Sequence, residues 1–284
     1  MKVLLSSRNN QTQLKTVQFV SFLGCALAEQ KLRCKSSRKP KKPSRVMAQS
    51  CSGDIPTLVR LVTSGNHEQK ANAAGALWKL SVNGANQKKI ASAGGIPPLI
   101  ELVRCENDGQ KEHAAGVLMN LALNGANKEK IASAGGIPPL VELVRSGNDQ
   151  QKERAAGALR NLAVNTANQD KIAAAGGIPP LVELATSGND QQKEKAAGAL
   201  RNLAVNTANQ DKIASAGGIP PLVALMKRGN DGQKASSAGA LWSLSVGSAN
   251  QEQIASAGGI SPFVELVRSG NAKQREIAAG ALYN

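Results

Sequence analysis

The chain has 284 residues, enough for one or two ordinary domains, with 41% hydrophobic, 19% charged and only 2% aromatic residues. Apolar content dominated by Ala, Leu, Val and Ile suits close helix–helix packing and argues against a strand-built sandwich or barrel. The formal net charge of +15 is unevenly placed: residues 1–50 carry 11 Lys/Arg and one acid, Glu29, leaving 24 basic and 19 acidic residues for the rest, so the folded part is only mildly basic and no specific nucleic-acid partner is expected.

Residues 1–43 read as a basic leader without regular structure. Within it Lys31–Arg45 is a cation cluster, and Arg38, Lys39, Lys41 and Lys42 fit a nuclear localisation signal as well as a solvated, anion-binding tail. Upstream, Val17–Cys25 is apolar and is followed by Ala26-Leu27-Ala28, which superficially fits a signal-peptide cleavage site. The long preceding segment and the interruption at Gln18 weigh against secretion or organellar transit, and the run is too short to span a bilayer. A cytoplasmic or nuclear location is expected. Cys25, Cys34, Cys51 and Cys105 have no metal-ligand spacing; Cys105 stands where the repeats below have Ser64, Ser146 and Ser187, so the repeat region reads as reduced.

From about residue 44 the chain repeats itself. The pair Gly94-Gly95 recurs at Gly135-Gly136, Gly176-Gly177, Gly217-Gly218 and Gly258-Gly259, always 41 residues apart, and residues 125–165 and 166–206 are nearly identical. The units run 44–83, 84–124, 125–165, 166–206 and 207–247, with a shorter 248–284. The opening segment of the first, Ser44–Ser52, is degenerate and fits a cap. Because the last unit stops mid-helix with Ala278, Ala281 and Leu282 still expecting a neighbour, a fragment of a longer array is expected.

Each unit predicts three helices, as the fourth illustrates. Asn168–Ala175 has an amide opener and ends at Gly176-Gly177, where a left-handed stop is available. Ile178–Leu184 begins with prolines, whose missing N–H is not needed in a first turn, and ends near Gly188. A third helix opens at Asn189, with Gln192 placed for a reciprocal cap, a pattern repeated at 66/69, 107/110, 148/151, 230/233 and 271/274. On it Ala196, Ala197, Leu200, Leu203 and Ala204 share one face, while Lys195, Gly198, Arg201, Asn202 and Val205 share the opposite one. Such a unit cannot bury its apolar face alone and must stack.

The 41-residue period, the three-helix unit, Ala-Gly-Gly-Ile-Pro-Pro-Leu and Ala-x-Leu-x-Asn-Leu resemble the armadillo repeat over residues 50–284. The resemblance implies an all-α fold: a right-handed α-solenoid of tandem three-helix repeats, third helices lining a concave groove. On that geometry an amide row runs Lys79, Asn120, Asn161, Asn202, Ser243 and Asn284. Matching Asn residues in armadillo proteins hold the backbone of an extended peptide; they also serve to bond neighbouring repeats. One residue earlier stand Trp78, Met119, Arg160, Arg201, Trp242 and Tyr283. Seven before the amide stand Asn72, His113, Arg154, Lys195, Ser236 and Ile277. The cations in the middle favour an extended acidic ligand with apolar flanks, unless Glu112, Glu153 and Glu194 neutralise them.

Four residues before the amide every unit has glycine: Gly75, Gly116, Gly157, Gly198, Gly239 and Gly280. Mid-helix glycine costs about 0.5–1 kcal/mol relative to Ala, so the row needs a reason, either room for a ligand main chain or close helix contact. Importin-α proteins typically carry Trp there, so catenin-type repeats or those of plant-type U-box ubiquitin ligases are the nearer resemblance. The expected function is a protein–protein scaffold or adaptor. The alternatives are a nuclear-transport adaptor and the substrate-recognition module of a larger ligase. No catalytic set converges: His67 and His113 differ in repeat phase, and the glycine pairs lack a P-loop Lys. No enzyme activity, cofactor, metal or small-molecule substrate is expected.

Overall fold

The computed structural model describes residues 54–284, which contain seventeen α-helices and no strand. The leader, with its basic cluster, lies outside the described residues. First helices are α3 (Gly84–Ser92), α6 (Gly125–Ser133), α9 (Thr166–Ala174), α12 (Thr207–Ser215) and α15 (Ser248–Ser256). Second helices are α1 (Ile55–Ser64), α4 (Ile96–Arg104), α7 (Ile137–Ser146), α10 (Ile178–Ser187), α13 (Ile219–Arg228) and α16 (Ile260–Ser269). Third helices are α2 (His67–Leu80), α5 (Asp108–Leu121), α8 (Asp149–Leu162), α11 (Asp190–Leu203), α14 (Asp231–Leu244) and α17 (Ala272–Tyr283).

Local chemistry sets each boundary. The first glycine of each pair, such as Gly176 at φ +71, takes the left-handed conformation that ends a first helix. Prolines occupy the first turn of α1, α4, α7, α10 and α13. The opener of α9 is Asn165, whose side chain accepts from the Asn168 N–H, and not Asn168 itself as expected from the sequence. Asn168 and Gln169 are instead buried amides: Gln169 Nε2 donates to Ala163 O at 3.0 Å, closing the orphan carbonyls at the end of α8.

The third helices carry the reciprocal cap at Asn66, Asn148, Asn189, Asn230 and Asn271. The cap glutamine also reaches the preceding unit. In α11, Gln192 Oε1 accepts from the Asn189 N–H at 2.9 Å, while its Nε2 donates to Asp149 O, at the start of α8, also at 2.9 Å. The same link joins Gln110 to His67, Gln151 to Asp108 and Gln233 to Asp190. Side chains such as Leu200, Leu203, Ile172 and Leu181 fill one continuous core through the stack. Consecutive third helices pack against one another far more extensively than consecutive second helices, which puts the third helices on the inside of the curve.

One unit departs from the pattern. Elsewhere a glycine precedes the capping Asn; at Gly147 an added Cβ would lie 2.5 Å from Leu143 O and 2.9 Å from Gln151 Cβ. The second unit has Glu106 there. Its second helix stops one residue early at Arg104, Asn107 turns to ψ 116 against 174 at Asn148, and the returning arm of the cap is lost. Gln110 Oε1 lies instead 3.3 Å from the partly buried Cys105 thiol. Replacing the pair (Cys105→Ser with Glu106→Gly) should restore the cap and raise stability by about 0.5–1 kcal/mol, read from the urea midpoint. Gly188→Glu should do the reverse in the fourth unit. Unmoved midpoints in both variants would mean that the second arm contributes nothing.

Candidate ligand-binding surface of the third helices

From Gly116 onward the glycine row is explained by the side chain of the preceding unit, while Gly75 faces His113 of the following one, 3.2 Å from an added Cβ. An added Cβ at Gly116 would lie 2.8 Å from Trp78, at Gly157 2.6 Å from Met119 Sδ, and at Gly198 2.7 Å from Arg160 Cδ. At Gly239 it would meet Arg201 Nε at 2.6 Å, and at Gly280 Trp242 at 2.8 Å. Each bulky residue therefore lies flat across the next third helix, and only glycine leaves the depth for it. Gly198, placed by sequence on the open face, is buried beneath this neighbour. Side chains on a helix point towards its N-terminus, which brings the end of each such residue beside the glycine, one turn before the next amide.

The amide row is tied to the stack by one hand. Asn161 Nδ2 donates to Met119 O at 2.9 Å and Asn202 Nδ2 to Arg160 O at 2.8 Å. Asn120 and Asn284 reach the hydroxyls of Ser81 and Ser245 at 2.9 and 3.0 Å. Ser243 turns back on its own helix, bonding Gly239 O at 3.3 Å, and Lys79 is exposed. The carbonyl oxygens of Asn161 and Asn202 accept no hydrogen bond among the described residues, so each amide keeps an acceptor and a second N–H for another main chain.

The cations separate into two kinds. Arg154, grouped by sequence with the groove cations, is only 8% exposed. Its guanidinium pairs with Glu112 at 2.6 Å, donates to Glu112 O at 3.2 Å, and stands 3.9 Å above the Trp78 ring. Burial pushes its pKa below the usual arginine value, while Glu112 and then Glu153 pull it back up. His113 stacks on the same indole, centroids 5.9 Å apart, and its Nδ1 is buried without a partner among the described residues. Trp78 is therefore half-buried between units rather than free. Lys195 reaches only its neighbour Glu194, at 3.8 Å. Arg160 and Arg201 are partly exposed and have no ion-pair partner among the described residues; Cδ, Nε and Cζ of each lie over the next unit's glycine. Further on, Trp242 is 37% and Tyr283 91% exposed, and Ser236 and Ile277 are buried. Among the described residues no group of His, Cys, Asp or Glu is placed to hold a metal, and no helix is long and apolar enough to cross a membrane.

Sequence reasoning did not join the exposed aliphatics at Val82, Leu123, Val164, Val205 and Val246 into a row, three residues after the amide position of each unit. The signal was present as the same 41-residue spacing, since Val205 had already been placed on the open face.

These features define an α-solenoid whose inner helices carry a row of side chains seated on glycines and a row of amides. A family model described as Armadillo/beta-catenin-like repeat matches residues 85–123, 126–164, 165–205 and 247–284, more than half of the chain. The protein belongs to that family.

Solved structures agree on the fold. A designed armadillo repeat protein, YIII(Dq)4CqI, is 24% identical with a TM-score of 0.76, over 81% of this chain and 99% of its own. An engineered protein from the Northeast Structural Genomics Consortium is 30% identical, TM-score 0.76, over 81% of this chain and 96% of its own. A further design, solved with the peptide (KR)4, is 24% identical, TM-score 0.73, over 81% and 99%. Comparison with curated proteins gives no match.

Two outcomes test this reading of the stack. Gly116→Ala should destabilise and shift the tryptophan emission, because the indole must leave its seat, although Ala is the better helix former by about 1 kcal/mol. Glu112→Gln should lower stability by about 1–3 kcal/mol in chemical denaturation, since it strands the buried Arg154 charge. Stability that rises in the first and holds in the second would contradict the packing described.

Proposed function

We propose that the protein is a non-enzymatic scaffold that binds an extended, acidic protein segment along its third helices. The observation that carries this is the pairing, in consecutive units, of an unpartnered guanidinium (Arg160, Arg201) with an amide whose acceptor is free (Asn161, Asn202). An amide with donor and acceptor open matches a peptide main chain, and arginine offers a forked pair of donors to a carboxylate. Lys195, beside Glu194, stands on the same side. A cytoplasmic or nuclear location belongs to the same proposal.

A second reading, a carrier of basic segments, has support in the design solved with (KR)4. Against it stands the charge of the middle units here, and glycine where importin-α proteins place Trp. The space such a Trp would need is taken by Met119, Arg160 and Arg201 of the preceding unit.

An array of acidic and basic peptides separates the two readings. Acidic peptides should bind, and affinity should fall as salt rises, since exposed charge pairs are screened over about 10 Å at 0.1 M. Arg160→Glu with Arg201→Glu should reduce binding of acidic peptides at least tenfold, about 1.4 kcal/mol. Unchanged affinity in that variant would refute the groove model, and preferential binding of Lys-rich peptides would favour the second reading.

A further inference from the structure

Resting on that proposal, the open face carries a third row beside the cations and the amides. Val82, Leu123, Val164, Val205 and Val246 are 59–75% exposed, each three residues after the amide position of its unit. The backbone stays in a helical turn through this point: Ala204 N–H donates to Leu200 O at 2.8 Å and Asn206 N–H to Leu203 O at 3.2 Å. Val205 therefore stands one turn beyond Arg201 on the same face, about 4.5 Å further along the axis than Asn202. Val164 stands likewise beyond Arg160, where Ala163 N–H bonds Leu159 O at 2.9 Å and Asn165 N–H bonds Leu162 O at 3.1 Å.

Arg160 and Arg201 lean the other way, onto Gly198 and Gly239, one turn before the next amide. Lys195 lies about 10.5 Å before Asn202 along the same axis. Across α11 the order is thus cation, amide, aliphatic; across α14 Arg201 and Val246 flank Ser243, and across α8 Met119 takes the cation's place. Five isolated valines or leucines would need no account, but five in one register form an apolar row along the stack, a rail in outline.

A chain lying on the amides crosses the helices, so one flank faces the cations and the other the rail. Successive side chains of an extended chain point to opposite sides. We infer that the occupant of this surface is an extended segment in which acidic and aliphatic residues alternate, carboxylates towards Arg160, Arg201 and Lys195 and aliphatic side chains on Val164 and Val205. An acidic segment without that alternation would leave the rail in water. A segment with the same residues in blocks would place its carboxylates against the rail.

The test uses the full chain and three labelled twelve-residue peptides: alternating Asp-Leu, alternating Asp-Ser, and Asp and Leu in two blocks, with alternating Lys-Leu as a charge control. Binding is followed by fluorescence anisotropy. Alternating Asp-Leu should bind at least tenfold tighter than either of the other acidic peptides, about 1.4 kcal/mol. Val164→Ser with Val205→Ser, both at exposed turn positions, should erase that advantage and leave Asp-Ser binding unchanged, while circular dichroism reports an unaltered fold. If the acidic peptides bind equally, or the serine variant keeps the preference, the rail inference is overturned and the acidic groove stands. If only Lys-Leu binds, or no acidic peptide does, the acidic groove and the rail fall together.

Discussion

A buried glutamine at the start of α8, α11 and α14 joins its repeat to the preceding one. Its carbonyl closes the cap of its own helix, and its amide N–H satisfies a backbone oxygen at the start of the third helix before it. The capping Asn N–H would otherwise be an orphan, where an unmet buried hydrogen bond costs about 1–3 kcal/mol, while the carbonyl, already bonded within its own helix, takes the glutamine as a second donor. The cap closes within its own unit, and the glutamine's remaining bond is made only when the preceding unit is in place. A 41-residue unit gains its stability by stacking its apolar face on its neighbours, and this hydrogen-bonded link adds to that burial.

The same coupling shapes the open face. Once the third helices are held this close, a side chain rising from one must cross the next, and glycine provides the room. Amides between the crossings spend one N–H on the neighbour and keep their remaining capacity outward. Stiffness and recognition are therefore properties of the same few atoms. Where the seam varies, as at Cys105 and Glu106, the cap loosens without interrupting the stack.

Much of this was legible in the sequence, because period, caps and proline positions act locally. Gly176-Gly177, Ile178-Pro179-Pro180 and Asn189 with Gln192 each specify a boundary from neighbouring residues alone, and α9, α10 and α11 follow. What sequence could not settle are relations between units. Asn168 looked like a helix opener because its burial depends on the preceding third helix. Arg154 looked like a groove cation because its partners, Glu112 and Trp78, come from two different units. Gly198 appeared on the open face of its own helix, which is true of the isolated helix and false of the stack. The valine rail lay in plain view but had no meaning until the turn that carries it was shown to continue the helix.

The glycine seats also set where the protein can be cut and rejoined. The floor under any one position of the open face is built from the last turns of one unit and the glycine of the next, so the piece that carries a recognition feature straddles the sequence repeat. An exchange of whole 41-residue units would split every such piece at both ends, pairing an arginine with a seat from elsewhere in the array. Here that exchange is harmless, because every described unit offers the same glycine. Uniform seats thus let repeats duplicate, as residues 125–165 and 166–206 have, while the side chains laid across them diverge independently.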